Sequence, residues 1–300
     1  MRKLLDRFEM MSISKFGLIL LSPTILILLV LVGFPIVYSI YLSFFDLILS
    51  SPGKLNFVGL KNYVDILQNP VFLNSLWKTA WFTFSFLFGT TVTGMVIALM
   101  LNMRFIGKSV VITILLIPWA IPRVVNALIW KWIYDGNYGV LNAIFVRLGI
   151  IDQYKFWFGE SPLISITLIS VAYAWKMIPF VALLVLAALQ TIPRELYEAA
   201  KVDGANGWTR FWKVTVPQLK YPLIIILILQ TTRAIKVFDL IAVLTRGGPG
   251  DRTMVTYYYV YKIAFDYLNV SAGAAAAYVV TAIIVLFALL YYVLLRGGED

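Results

Sequence analysis

Arg194–Pro217, RELYEAAKVDGANGWTRFWKVTVP, is the longest strongly polar stretch of the chain and lies between two hydrophobic runs. Its pattern is more ordered than a connector requires. Pro193 suits the first position of a helix, where a missing N–H costs nothing. Leu196, Ala199 and Ala200 then recur at i, i+3 and i+4 and give one narrow face of small residues. Asp203-Gly204 ends that run, because glycine readily takes the left-handed conformation that follows a helix. Trp208, Phe211 and Trp212 form a second face at helical spacing, and Pro217 opens the next hydrophobic run. The stretch predicts a helix, a glycine-marked bend, a short aromatic helix and a return to apolar sequence.

The rest of the chain says what surrounds that stretch. Of 300 residues, 61% are hydrophobic and 13% charged, against about 45–50% and about 25% in soluble domains. This is the composition of an integral membrane protein. The net charge of +10 is explained by Lys and Arg flanking membrane spans, and no soluble basic module exists to bind nucleic acid. Cys and His are both absent, which excludes disulfides, thiolate and imidazole metal sites, and any histidine proton relay.

Six spans are expected, with both termini on one side. After a basic segment, residues 1–15, thirty uncharged residues run from Phe16 to Phe45. That run is longer than a signal-peptide core and carries no cleavage site, so it reads as a retained span. A polar segment from Asp46 to Lys78 precedes the second span, Thr79–Met103. The third, Val110–Trp130, is interrupted by Pro118, Pro122 and Arg123 and is expected to be broken near its far end. The fourth covers Pro162–Gln190, the fifth Pro217 to about Val237, and the sixth Ala272–Leu295. Gly89 to Gly94 and Ala272 to Ala277 offer small-residue faces for close helix packing. Raw counts of Lys and Arg tie between the two sides, while their density favours the side of the termini as the cytoplasmic one.

Glu198-Ala199-Ala200, then Gly204, then Val214-x-Val216-Pro217, resembles the EAA loop of permease subunits of binding-protein-dependent ABC importers. This chain has two Val where the family has Ile and Leu. Phe57-x-Gly59-Leu60-x-Asn62-Tyr63 is similar to the first outside loop of the sugar-importing members, and Gly139-x-x-Asn142 to a later one. Thr245-Arg246-Gly247-Gly248-Pro249 is similar to a third loop, with Arg246 in place of a Gly. The resemblance implies an all-helical, six-span permease of the type-1 (MetI-like) fold, occupying residues 16–300, in the cell membrane with both termini cytoplasmic. It implies a second homologous permease, two ATPase subunits and an extracellular sugar-binding protein as partners. ATP and Mg would be held by the ATPase subunits, none by this chain. Residues 191–217 would be the coupling loop, with Glu198, Ala199, Ala200, Gly204, Ala205, Trp208 and Phe211 facing the ATPase.

Polar side chains inside apolar spans are costly and point to function by default. The candidates for the substrate pathway are Asn126, Tyr173, Lys176, Gln230 and Arg233, which supply the hydrogen bonds and aromatic faces a sugar needs. The alternative is structural: Lys176 and Arg233 snorkel to the interface, and Asn126 caps a broken helix. No Asp or Glu lies within a span, and Asp239 stands at the outer margin of the fifth. A proton-driven secondary carrier usually needs such a group. Gly247-Gly248-Pro249-Gly250 lacks the Lys and the strand–helix context of a phosphate-binding loop. A substrate such as glycerol phosphate or another polyol derivative stays open beside a sugar, and a passive channel would need no docking helix.

Overall fold

The computed structural model describes residues 13–50 and 55–296. The first twelve residues of the expected 1–15 segment, the Pro52-Gly53 turn and the 297–300 tail lie outside the described residues. Within them the regular structure is helical apart from one two-stranded ladder and an isolated bridge between Ile48 and Asn269. Four helices are long and apolar enough to cross a membrane: Gly17–Ser43, Pro70–Asn102, Pro162–Thr191 and Val270–Val293. A bent pair, Lys108–Ala120 and Arg123–Ile133, makes a fifth candidate, its halves meeting at 91°.

The chain divides into two compact units. The first comprises residues 1–66 and 262–278. In it α1 (Ile13–Leu28) continues through a wide turn, Leu29–Gly33, into α2 (Phe34–Ser43). Strands β1 (Phe45–Asp46) and β2 (Asn56–Phe57) pair antiparallel, Phe45 opposite Phe57. The Phe57–Tyr63 motif acts locally here. Asn62, in α3 (Lys61–Gln68), donates Nδ2 to the carbonyls of Ser43 and Phe45 at 2.9 and 2.7 Å. Tyr63 Oη lies 2.7 Å from Ser43 Oγ. Ser43 is the last residue of α2, where a carbonyl has no partner within the helix, so Asn62 ties that end to the start of β1.

The second unit, residues 67–261 and 279–300, holds the long helices. Its axis is the pair α4 (Pro70–Asn102) and α8 (Pro162–Thr191). α4 starts nine residues before the expected Thr79. Asn69 Oδ1 accepts from the N–H groups of Val71 and Phe72, and Pro70 takes the first helical position, so the polar residues up to Lys78 are helical too. α8 opens the same way, on Ser161 Oγ and Pro162. Gly94 lets the two helices touch: a Cβ there would fall 2.7 Å from Val181 Cγ1 and 3.3 Å from the Ala182 nitrogen. Gly89 is less constrained, 3.9 Å from the Ala174 methyl. Ala98, Leu101, Val181, Val185 and Leu189 close a core that also takes in Leu219 and Ile226.

The third span divides into α5 (Lys108–Ala120) and α6 (Arg123–Ile133), because Pro122 cannot continue a helix and holds Ile121 extended. α7 (Val140–Arg147) lies in the outer loop, where Asn142 is fully buried. Its Nδ2 donates to the carbonyls of Asp135 and Lys155, and its Oδ1 accepts from the Lys155 N–H. A Cβ on Gly139 would stand 2.3 Å from the Asp135 carbonyl oxygen, so the Gly139–Asn142 spacing serves this turn.

Beyond α8 come α9 (Arg194–Val202), α10 (Gly207–Arg210), a wide turn at Phe211–Thr215, and α11 (Val216–Gln218). The expected fifth span, 217–237, appears as α12 (Lys220–Ile235), a 16-residue helix. At 1.5 Å per residue it is about 24 Å long, and it is not among the helices long and apolar enough to cross a membrane. α13 (Asp239–Leu244) packs against α6. α14 (Thr256–Tyr261) packs against α4, where Thr79 Oγ1 meets both the N–H and the Oγ1 of Thr256. The last helix, α15 (Val270–Arg296), buries Ala275 and Ala276 completely.

Candidate functional site

Two places gather the residues singled out from sequence. The first is the loop between α8 and α12. Its helix begins at Arg194, with Pro193 extended as the cap rather than in the first turn. At the other end the Ala205 N–H bonds the Ala200 carbonyl and the Gly204 N–H bonds the Lys201 carbonyl. That pair of bonds is a Schellman ending, and it requires the left-handed Gly204, whose φ is +79°. Asn206 then starts α10, its Oδ1 accepting from the Thr209 N–H at 2.8 Å. Both corners of the loop are thus fixed by the chain itself.

The two faces of this loop differ. Glu198 and Ala199 are exposed and Ala200 is half-buried, beside exposed Leu196 and an 88% exposed Val202. On the other side Trp208, Phe211 and Trp212 make one cluster, with ring centroids 5.2–6.2 Å apart. Trp208 and Phe211 line a cleft against the end of α4, away from Ala205 and Gly204, which border a separate hollow with Asp203 and Lys213. Tyr197 ties α9 to the following turn through Thr215, Oη to Oγ1 at 3.0 Å.

The second place lies where the break of the third span meets α8 and α12. Lys176, 5% exposed, donates Nζ to the Trp119 carbonyl at 2.7 Å and to the Ile121 carbonyl. These are the carbonyls that α5 leaves unpaired at its end, so a cation on the α8 flank satisfies them. Arg233 lies over the Phe180 ring, 4.5 Å from its centroid, and donates to Gln230 Oε1 at 3.1 Å. Trp119 stacks on the same Phe180 ring, centroids 6.1 Å apart. Asn126 is buried with Nδ2 on the Ala172 carbonyl at 3.3 Å, while its Oδ1 and Gln230 Nε2 find no partner among the described residues. Tyr173, buried, packs on Phe82 and Phe86.

Lys176, Gln230 and Arg233 therefore come together around Phe180 and Trp119. Asn126 and Tyr173 sit along α8 on the α6 and α4 sides. Neither Lys176 nor Arg233 is surface-exposed in the chain. Sequence reasoning passed over Phe180 and Trp119, although Phe180 lies one turn after Lys176. It also passed over Lys78, buried with Nζ on the Asp251 carbonyl. Asp239 finds Arg123, with Nη1 3.4 Å from Oδ2, so α6 and α13 carry an ion pair beside the break.

Helices of this length, an ordered loop of this design and a span broken beside a buried cation are the architecture of a transporter's membrane subunit. Residues 90–297 match the family described as binding-protein-dependent transport system inner membrane component, and the chain belongs to that family. It is 37% identical over 290 residues to the trehalose/maltose transport system permease protein MalF of Thermococcus litoralis, covering 96% of both chains. It is 35% identical over 283 residues to the sulfoquinovosyl glycerol transport system permease protein SmoG of Agrobacterium fabrum, covering 94% of this chain and 91% of the relative. The fold is that of the MetI-like ABC permeases. A bacterial ABC transporter involved in import of the acidic polysaccharide alginate superposes with a TM-score of 0.82 at 21% identity, over 99% of this chain and 100% of the other. A second alginate transporter structure, in complex with an alginate-bound periplasmic protein, gives 0.78 at 22% identity over 93% and 94%.

Proposed function

We propose that this chain is the permease subunit of an ATP-driven importer for a mono- or oligosaccharide. The observation that carries the coupling role is the loop between α8 and α12. A helix with an exposed carboxylate, Glu198, beside an exposed Ala199 ends in a glycine turn that the backbone itself locks. A smooth, rigid projection of that kind suits a cleft in another protein. Glu198, Ala199, Ala200, Gly204 and Ala205 form the part that enters the cleft of an ATPase subunit, and Trp208 and Phe211 brace it from the α4 side. ATP and Mg belong to two such ATPase subunits, and this chain binds neither. A second homologous permease completes the pathway, and a binding protein outside delivers the sugar. The loop and both termini face the cytoplasm, and six spans cross the inner membrane.

The sugar reading is supported by the named relatives, which serve trehalose/maltose and sulfoquinovosyl glycerol. Asn126, Tyr173, Gln230 and Arg233 line the pathway, with Lys176 holding the break beside it. The test is transport and stimulated ATPase activity of Glu198→Ala and Gly204→Asp in proteoliposomes, with subunit stoichiometry. Removing one member of a buried charged pair costs about 2–5 kcal/mol, so hydrolysis uncouples from transport or the ATPase is lost. Normal coupling and assembly in both variants would remove the loop from the mechanism. Calorimetry on the copurifying binding protein identifies the ligand, and a polyol phosphate there would overturn the sugar assignment.

A further inference from the structure

The cleft between α4 and the aromatic side of the loop has no role in the reading above. It encloses about 1220 Å³. One wall is the end of α4, where Met95 and Leu99 share a helix face. The other wall is the Trp208 and Trp212 pair, 71% and 52% exposed. Lys201 and Arg210 border the cleft, and among the described residues no Asp or Glu does. Neither cation has an ion-pair partner among the described residues.

These features select an occupant. The α4 wall belongs to a helix long and apolar enough to span a membrane, and it ends at Asn102 beside the basic Arg104. Tryptophans favour the height where hydrocarbon meets headgroups. A partner's apolar helix would cover the wall and leave both cations bare. A free phosphate would pair the cations and leave the wall bare. A molecule with an anionic head and a hydrocarbon tail satisfies both, and basic pockets beside spans hold such heads. We propose that this cleft binds one anionic phospholipid from the leaflet on the loop's side, its phosphate on Lys201 and Arg210 and an acyl chain along Met95 and Leu99. Lys201 stands one helical turn beyond Glu198, so the lipid braces the helix that carries the coupling carboxylate.

The test uses the assembled importer, stripped of lipid and offered equal phosphatidylglycerol and phosphatidylcholine, with bound lipid read by native mass spectrometry. Wild type retains phosphatidylglycerol in preference. The double variant Lys201→Gln/Arg210→Gln retains it about 25-fold more weakly, roughly five-fold for each charge removed. The charge-preserving pair Lys201→Arg/Arg210→Lys retains it as wild type does, which separates lost charge from lost fold. Val96→Cys, in this cysteine-free chain, crosslinks to a lipid-borne reagent. Equal retention of both lipids, or unchanged retention in the double variant, would overturn the proposal. So would a Val96→Cys crosslink to a partner protein. Transport is not the readout, so failure here leaves the importer reading standing.

Discussion

Lys176→Met separates two roles that a buried cation near a transport pathway can have. The ammonium donates to the Trp119 and Ile121 carbonyls at the break between α5 and α6. Met keeps the length and the apolar stem but removes the donor. Each bond from a charged donor contributes about 1.5–3 kcal/mol, and the burial of the ammonium itself takes part of that back. Both carbonyls are then left in a site with little water, at about 1–3 kcal/mol each for an unpaired buried group. A net loss of about 2–4 kcal/mol follows, because the two costs describe the same contacts and do not add. The assay is thermal unfolding of the assembled importer in nanodiscs, with sugar transport measured on the same preparation. Lys176→Met should melt several degrees lower with or without sugar, and Lys176→Gln, which keeps neutral amide N–H donors on a shorter side chain, should recover part of the loss. Wild-type melting in Lys176→Met, with transport reduced only through a raised KM, would refute the structural role and place the ammonium on substrate.

Gly94→Val should destabilise the α4–α8 pair by about 1–3 kcal/mol, because its Cβ would overlap Val181 Cγ1, whereas Gly89→Ala should be tolerated; melting of both variants checks this. Asp239→Asn should cost less than about 1 kcal/mol, since the Arg123 side chain of that pair is 51% exposed, and the cost should vanish in high salt. Asn142→Ala should speed amide hydrogen exchange between residues 134 and 160 while leaving α4 and α8 protected, because four hydrogen bonds in that loop converge on its side chain. Slow exchange in the Asn142 variant would mean that the loop is held by other contacts.

The parts legible in sequence were those fixed by neighbours along the chain. The loop was readable because Ala200, Lys201, Gly204, Ala205 and Asn206 close their own hydrogen bonds within a few residues. The break in the third span was readable because Pro122 lacks an N–H whatever surrounds it, although it falls midway, at Ile121–Pro122, and not near the far end. The start of α4 was not. Lys78 made residues before Thr79 look like loop, yet its ammonium is paid for by the Asp251 carbonyl, 173 residues away. Apolar content predicted a fifth span over 217–237, whereas the continuous helix there covers only Lys220–Ile235 and is shorter than the helices long and apolar enough to cross a membrane. Charge and apolar content alone cannot show a distant carbonyl.

The same limit shaped the residues proposed for the pathway, and their partners narrow what they can bind. With no carboxylate inside the spans, the cations turn to carbonyls and ring faces: Lys176 to Trp119 and Ile121, Arg233 to Phe180 and Gln230. Groups already engaged in this way offer little to an incoming anion. What the cluster leaves open is neutral and of opposite character, an acceptor at Asn126 Oδ1 and a donor at Gln230 Nε2. An unpaired buried amide atom costs about 1–3 kcal/mol, and a hydroxyl, which both donates and accepts, relieves either one. A polyhydroxylated neutral ligand meets both demands with one functional group, whereas a phosphate dianion supplies only acceptors and leaves Asn126 Oδ1 to any hydroxyls elsewhere on the ligand. Cysteine substitution at these two positions, followed by polar reagents with and without sugar, should show labelling that the sugar protects. Lipid-facing, unreactive cysteines at both would take the amides out of the pathway.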